Sequence, residues 1–285
     1  MKLATRASAL AWAQSGHVAD AIHRVTGRTV ERIPVKTRGD QIVDRPLRDL
    51  GGKGLFTKEI EEALLDGRAD FAVHSLKDLP VGHVPGLVVA AIPLREDARD
   101  VVIGRPLGEL EPGARVGTGS LRRRCQLLAL RPDLSIEELR GNVDTRIGRV
   151  REGAYEAVVL AAAGLARLGR LDDVAEYLDL DAMVPAVGQG ALAVQCRADD
   201  TETLACLARI HDERTALAVG IERAFLAAVD GSCHVPVAAH ARWDGDMLVA
   251  TALNGADGVI RRASGRVDPL HGVALGRDLA RRVLG

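Results

Sequence analysis

Along the first ninety residues, apolar blocks short enough for strands alternate with longer stretches of helical period. Leu3-Ala4-Thr5 predicts a short strand; behind it Ser8 caps a helix whose apolar positions Leu10, Val18, Ala21, Ile22 and Val25 lie roughly on one face until Gly27 stops it. Val30 to Val35 predicts a second strand. A polar loop then passes Asp40, Asp44 and Asp49 to reach Gly51-Gly52-Lys53-Gly54, and Thr57 opens a helix with Glu59, Glu61 and Glu62 near its start, where the macrodipole favours acids. Gly67 ends that helix, and Asp70 to Val73 and Leu87 to Ile92 predict further buried strands. This strand–helix–strand rhythm predicts a mostly parallel sheet with helices on both faces.

The charged run Pro93 to Asp100 breaks the pattern and marks a first boundary. The rhythm restarts with a strand at Arg115 to Gly117, a helix from Ser120, a strand near Leu134 to Leu139, a helix from about Asn142 to Glu152 and the apolar strand Ala157 to Leu160. After Pro185-Ala186-Val187-Gly188-Gln189-Gly190 come a strand, Ala191 to Cys196, and two helices, the second from about Asp212 to Val229. Beyond Gly231 the period becomes two: Val237 to Trp243, Met247 to Leu253 and Val259 to Ser264, parted by turns, predict an antiparallel meander. A final helix, Gly272 to Leu284, would cover one face of it.

Composition narrows the classes of function. A chain of 285 residues exceeds the usual single-domain size. With seven aromatic residues it has cores of Ala, Val, Leu and Ile, and too few rings for a single-strand stacking platform. The net charge of −1 steers the molecule toward neither DNA nor an anionic membrane. Lys occurs only at positions 2, 36, 53, 58 and 77, leaving 33 Arg, so where the arginines sit matters. Cys125, Cys196, Cys206 and Cys233 form no CxxC and no metal-like pairing with His. No apolar stretch is long enough for a signal sequence or a membrane span, so a reducing cytoplasm with free thiols is expected.

Several strand ends carry chemistry. Gly117-Thr118-Gly119-Ser120-Leu121-Arg122-Arg123-Arg124 turns from a strand into a capped helix bearing guanidinium groups, which suits carboxylate or phosphate oxygens; its bland alternative is a solvated helix face. Leu139-Arg140-Gly141-Asn142-Val143-Asp144-Thr145-Arg146 and Ala163-Gly164-Leu165-Ala166-Arg167 follow strands in the same way, and three such sites on one sheet edge converge on one cleft. His74-Ser75-Leu76-Lys77-Asp78 also follows a strand, as do Arg6 and Ser8. An Asp facing cations stays ionised and suits stabilisation of developing positive charge, although a Lys beside an Asp, as at Lys77-Asp78, is more often a surface pair than a catalytic one. Gly51 to Gly54 lacks the P-loop order and is either a mobile cover or a connector. Cys233, in Asp230-Gly231-Ser232-Cys233-His234-Val235-Pro236, is either a small buried apolar residue or a reactive thiol in a tight loop.

Taken together, these runs resemble the porphobilinogen deaminase (hydroxymethylbilane synthase) family from end to end. The motifs that carry the resemblance are Ala4-Thr5-Arg6-x-Ser8, Gly51-Gly52-Lys53-Gly54-Leu55-Phe56, His74-Ser75-x-Lys77-Asp78, Gly117-Thr118-x-Ser120-Leu121-Arg122-Arg123, Leu139-Arg140-Gly141-Asn142-Val143-x-Thr145-Arg146, Ala163-Gly164-Leu165-x-Arg167-Leu168-Gly169, Gly188-Gln189-Gly190 and Gly231-Ser232-Cys233-x-Val235-Pro236. The resemblance implies an α/β protein with two periplasmic-binding-protein-like, doubly wound domains, residues 1–93 with 191–210 and residues 97–186, the active cleft between them. It implies a third, α+β domain, 212–285, with a three-stranded antiparallel sheet and the cysteine loop.

The same resemblance implies a dipyrromethane cofactor joined by a thioether to Cys233. Onto it the enzyme adds four porphobilinogens head to tail, releasing ammonia each time, before water frees the linear tetrapyrrole. Asp78 is implied as the catalytic carboxylate. The cofactor- and substrate-binding set is Arg6, Ser8, Lys53, Phe56, Ser75, Lys77, Thr118, Ser120, Arg122, Arg123, Arg140, Arg146, Arg167 and Gln189. Gly51 to Phe56 would be a lid, and the segments 93–100 and 185–190 hinges. The expected partner is porphobilinogen alone, bound by a monomer in the cytoplasm without nucleic acid, membrane or metal. Three features depart from the pattern: Gly119 stands where many relatives carry a hydroxyl residue, Arg124 extends the basic run at a helical angle that turns it away from the cleft, and the C-terminal domain is somewhat short. A rival reading is a solute-binding protein for a small polycarboxylate, against which Cys233 and the missing export signal speak. A second rival, nucleic-acid binding through the arginines, is opposed by the charge balance and the scarcity of rings.

Overall fold

A computed structural model describes residues 1–37, 57–229 and 235–285, so Lys53, Phe56, Cys233 and the expected lid lie outside the described residues. The strands are β1 (Lys2–Arg6), β2 (Glu31–Val35), β3 (Phe71–Ser75), β4 (Leu87–Ala91), β5 (Asp100–Gly104), β6 (Arg115–Gly117), β7 (Ser135–Glu137), β8 (Ala157–Ala161), β9 (Val174–Tyr177), β10 (Leu192–Arg197), β11 (Val237–Asp244), β12 (Met247–Asn254) and β13 (Arg261–Val267). The helices are α1 (Ala9–Thr26), α2 (Lys58–Leu65), α3 (Leu121–Leu130), α4 (Val143–Arg151), α5 (Ala162–Arg167), α6 (Thr201–Ala208), α7 (Glu213–Ala228) and α8 (Gly272–Leu284). The chain forms two compact units, Met1–Arg95 with Ala191–Ala216 and Glu96–Gly190 with Leu217–Gly285.

The first unit is built on a five-stranded sheet in the order β2-β1-β3-β10-β4. β1 runs parallel to both neighbours, with Leu3 opposite Arg32 on one side and Phe71 on the other. Because side chains alternate along a strand, Leu3, Phe71 and Val73 face one layer, where they pack with Val18 and Ile22 of α1 and Leu207 of α6. Ala4 and Ala72 face the other and meet Ile60 and Leu64 of α2. The buried face of α1 runs through Gln14, Ser15, Val18 and Ile22, which leaves Val25 exposed. The expected stripe is therefore rotated, because Gln14 and Ser15 have partners inside.

The second unit holds a five-stranded sheet, β7-β6-β8-β5-β9, and a three-stranded antiparallel sheet, β11-β12-β13. One face of the larger sheet packs Val102, Val116 and Val159 against Leu127 of α3; the other packs Val101, Val158 and Leu160 against Ile147 of α4 and Leu165 of α5. The meander is largely small residues on its inner face, Ala239, Ala241, Ala250 and Ala252, covered by Ile221 and Phe225 of α7 and Leu279 and Val283 of α8.

Both five-stranded sheets have helices on two faces and one order: three parallel strands ranked second, first, third, then an antiparallel strand, β10 in the first unit and β5 in the second. Each antiparallel strand is the first one formed after the chain crosses over from the other unit. That is a doubly wound α/β architecture, but the sheets are mixed where the rhythm of the first ninety residues predicts mostly parallel pairing. β5 and β9 were also unexpected, since the charged run ending at Asp100 obscures the apolar Val101-Val102-Ile103 behind it.

The Gly188-Gln189-Gly190 turn is tied into the second unit. Gly188 N donates to the buried Glu222 carboxylate of α7 (2.7 Å), whose other oxygen accepts Ala241 N (2.8 Å). Gly190 has φ +87°, and a Cβ there would lie 2.3 Å from the Glu96 carbonyl oxygen. Only glycine meets both demands. Gly190→Ala is expected to lose about 2 kcal/mol or more of stability, read from chemical unfolding at neutral pH; a variant as stable as its parent would contradict this close approach.

Candidate active site

In the first unit the candidates gather at the carboxyl ends of the neighbouring parallel strands β1 and β3. Arg6 closes β1, and Ser8 is the N-cap of α1, its hydroxyl accepting Ala11 N. Ser75 closes β3, and a 3-10 turn, Leu76–Asp78, places Lys77 half-buried and Asp78 exposed. Buried polar groups brace this edge. Gln14 Nε2 donates to Ser75 Oγ at 2.7 Å, and Ser15 donates its hydroxyl to Thr5 Oγ1 at 2.6 Å.

Beneath them His74 Nε2 lies 3.1 Å from Gln195 Oε1 of β10, and the Gln195 side chain also reaches the half-buried Glu61. Burial pushes the His74 pKa down to about 4; the Gln195 bond opposes the shift and the positive charge of Arg6 adds to it. His74 is therefore neutral at pH 7. None of Gln14, Ser15, His74 and Gln195 stood among the site residues expected from sequence, although His74 lies inside one of the motifs.

In the second unit the ends of β7, β6 and β8, parallel neighbours, carry the cationic runs. After β6, Thr118 Oγ1 accepts Ser120 N at 3.2 Å, and Ser120 caps α3 by accepting Arg123 N. After β7, Arg140 is exposed, with Nε 2.9 Å from Glu138 Oε1. Gly141 then turns the chain at φ +114°, where a Cβ would stand 2.8 Å from Thr145. Asn142 caps α4, and Arg146 Nε donates to Gly141 O at 2.8 Å. After β8, Arg167 ends α5 with Nη2 2.6 Å from Gly190 O.

Arg122 and Arg123 sit deeper than the solvated-face alternative requires, only 5% and 6% exposed. Both are bound to Asp100, which is fully buried: Arg122 Nη1 donates to Oδ2 at 2.7 Å, and Arg123 Nε and Nη2 donate to Oδ1 at 3.0 and 2.8 Å. Gln189 Nε2 joins the same carboxylate at 3.0 Å. Burial alone would raise the Asp100 pKa, but the charges of Arg122 and Arg123 outweigh it and hold the carboxyl well below the usual range. One carboxylate between two guanidiniums leaves positive charge in excess. Burial, together with the charges of Arg123 and Arg140, draws Arg146 down to about 10. Burial likewise lowers Arg167, against the opposing charge of Glu96. Among the described residues, Arg122 Nε is buried without a partner.

Arg124 is exposed and donates to Ile136 O at 2.6 Å, so it does turn away from its two neighbours. At Gly119 a Cβ would lie 3.0 Å from Leu139 O, so a hydroxyl residue there requires a local shift. Cys196 and Cys206 are buried, and burial raises the Cys196 thiol to about 11; Cys125 is half-buried and also raised. These three are packing thiols. Among the described residues no cluster of His, Cys, Asp and Glu could hold a metal ion, and no helix is long and apolar enough to cross a membrane.

The buried His74 makes a pH prediction. Its ring titrates near 4 when folded and near 6.5 when unfolded, so between those values the unfolded chain binds more protons and stability falls as pH drops. The full effect is about 3 kcal/mol. Urea unfolding of the parent and His74→Gln from pH 7 to 4.5 should show the parent losing more; parallel losses would contradict the buried neutral ring.

The model of the porphobilinogen deaminase dipyrromethane cofactor binding domain matches residues 1–205, and that of the porphobilinogen deaminase C-terminal domain matches 216–285. A porphobilinogen deaminase of Roseiflexus sp. (strain RS-1) is 50% identical over 99% of this chain and 95% of its own. Porphobilinogen deaminase 1 of Streptomyces coelicolor is 48% identical over 100% of this chain and 94% of its own. Among solved structures, a periplasmic substrate-binding protein of an ABC transporter from Coxiella burnetii matches with a TM-score of 0.46 and 14% identity, over 78% of this chain and 96% of that one. The chain belongs to the porphobilinogen deaminase family.

Proposed function

We propose that this protein joins four porphobilinogen molecules head to tail, with loss of one ammonia each, onto a dipyrromethane held by Cys233, and hydrolyses the product free as the linear tetrapyrrole hydroxymethylbilane. The observation that carries the reading, beyond family membership, is the gathering of guanidiniums after the parallel strands β6, β7 and β8, where burial, together with the charges of Arg123 and Arg140, lowers Arg146. Each pyrrole ring of such a chain bears an acetate and a propionate. A row of guanidiniums at successive strand ends fits that ligand, and Arg122 Nε, buried without a partner among the described residues, offers a donor for it.

When bound, dipyrromethane supplies the nucleophilic pyrrole carbon to which the first substrate is joined. Arg140, Arg146 and Arg167, with Arg122 and Arg123 behind them, hold carboxylates; Thr118 and Ser120 add hydroxyls at the start of α3. Arg6, Ser8, Ser75 and Lys77 bind at the edge of the first unit, and Lys53, Phe56 and Gln189 complete the set. Asp78, exposed on its 3-10 turn, accepts pyrrole N–H groups and balances the positive charge that develops as ammonia leaves. In this reading residues 1–93 with 191–210, 97–186 and 212–285 are three domains of a cytoplasmic monomer.

The experiment is intact mass and turnover of cofactor-free protein given porphobilinogen. The parent should gain two linked pyrrole units and release ammonia, and Cys233→Ser should gain nothing. Asp78→Asn should take up the cofactor yet turn over at least about 100-fold more slowly. A parent that binds porphobilinogen reversibly without mass gain would overturn the reading, and near-parental turnover of Asp78→Asn would remove Asp78 from its role.

A further inference from the structure

We propose that Asp100 is the positioning residue of the carboxylate-binding cluster: it fixes the direction in which Arg122 and Arg123 present their remaining N–H groups to the anionic pyrrole chain and sets the net charge the pair carries. The inference rests on the function proposed above and deepens it.

Asp100 opens β5, next to β8 in the sheet, with Asp100 opposite Ala161. Its two oxygens divide the arginines, Oδ2 to Arg122 and Oδ1 to Arg123. Backbone carbonyls lock each guanidinium from a second side: Val184 O accepts Arg122 Nη1 at 2.8 Å, and Val159 O accepts Arg123 Nη1 at 2.9 Å. Val184 is held in turn by Gln126, whose Oε1 accepts Val184 N at 2.8 Å and whose Nε2 donates to Val184 O at 3.1 Å. Neither arginine can swing without breaking bonds on two sides.

Adjacent guanidiniums in a buried setting repel, and without a shared carboxylate they would part. An arginine fork selects carboxylate geometry only when its own orientation is fixed in advance. Full burial keeps Asp100 off any ligand, so it acts through the arginines. Gln189 reaches the same carboxylate, which fastens the Gly188–Gly190 turn to the pair as well.

The test is Asp100→Asn in the full-length protein, an exchange that keeps the shape and removes the charge. Three quantities are read: the rate at which cofactor-free protein gains dipyrromethane mass on addition of porphobilinogen, and the KM and kcat of the loaded fraction. Loading should slow, and KM rise, by about tenfold or more, while kcat of loaded molecules changes by less than about threefold. A purely structural residue would lower the melting temperature and leave the loading rate and KM of folded molecules at parental values, which overturns the proposal. Should Asp100→Asn not fold, side-chain 15N spectra of the parent decide: hindered Nη rotation with protected Nε–H for Arg122 and Arg123 supports the proposal, and freely averaging signals for both overturn it. A parent that neither loads nor consumes porphobilinogen removes the functional reading itself; a parent that loads beside an unaffected Asp100→Asn removes only the role of Asp100.

Discussion

Two guanidiniums share one carboxylate inside the second unit, and much of the surrounding site follows from that imbalance. A buried Arg–Asp–Arg arrangement is not a source of large net stability, since desolvating three charges offsets most of their attraction; breaking it from one side, however, costs about 3–5 kcal/mol because a charge is stranded. Its value is orientation. Arg122 and Arg123 are set by Asp100 and by the carbonyls of Val184 and Val159, and the charges of Arg123 and Arg140 both bear on the half-buried Arg146. An anion entering there meets donors that need no reorganisation.

The first unit solves a related problem with neutral groups. The face of α1 that packs on the sheet carries Gln14 and Ser15 where apolar residues would bury more area, and both are matched, to Ser75 and Thr5. A buried polar group that finds its partner costs little and fixes a rotamer. The strand ends carrying Arg6 and Ser75 are thereby fixed from below, and His74, neutral and held by Gln195, adds no charge to the edge that carries Asp78.

Periodicity made most of the fold legible. The caps Ser8, Ser120 and Asn142, the stop at Gly27 and the meander from Val237 onward all stand where the sequence placed them. What was not legible has a common cause: it depends on contacts distant in sequence. The antiparallel β5 and β10 pair with strands formed elsewhere in the chain, and no local pattern reports direction of pairing. Asp100 was read as the end of a charged break because its partners lie at 122, 123 and 189. The arginines were legible as a group, from their repeated place after strands, whereas the split between those locked inside and those at the rim required their burial. Gly141 and Gly190 were legible as motif members, and the structure supplies the reason, a positive φ at each and no room for a Cβ.

In the proposed reaction an anionic pyrrole chain completes a cationic cluster already organised by the protein. A crystal structure of the porphobilinogen-treated protein tests it most directly. Ligand carboxylate oxygens should lie within hydrogen-bond distance of Arg146 and Arg140, with Asp100 still bridging Arg122 and Arg123. Ligand carboxylates seated away from these arginines, or an Asp100 displaced from both guanidiniums, would contradict it.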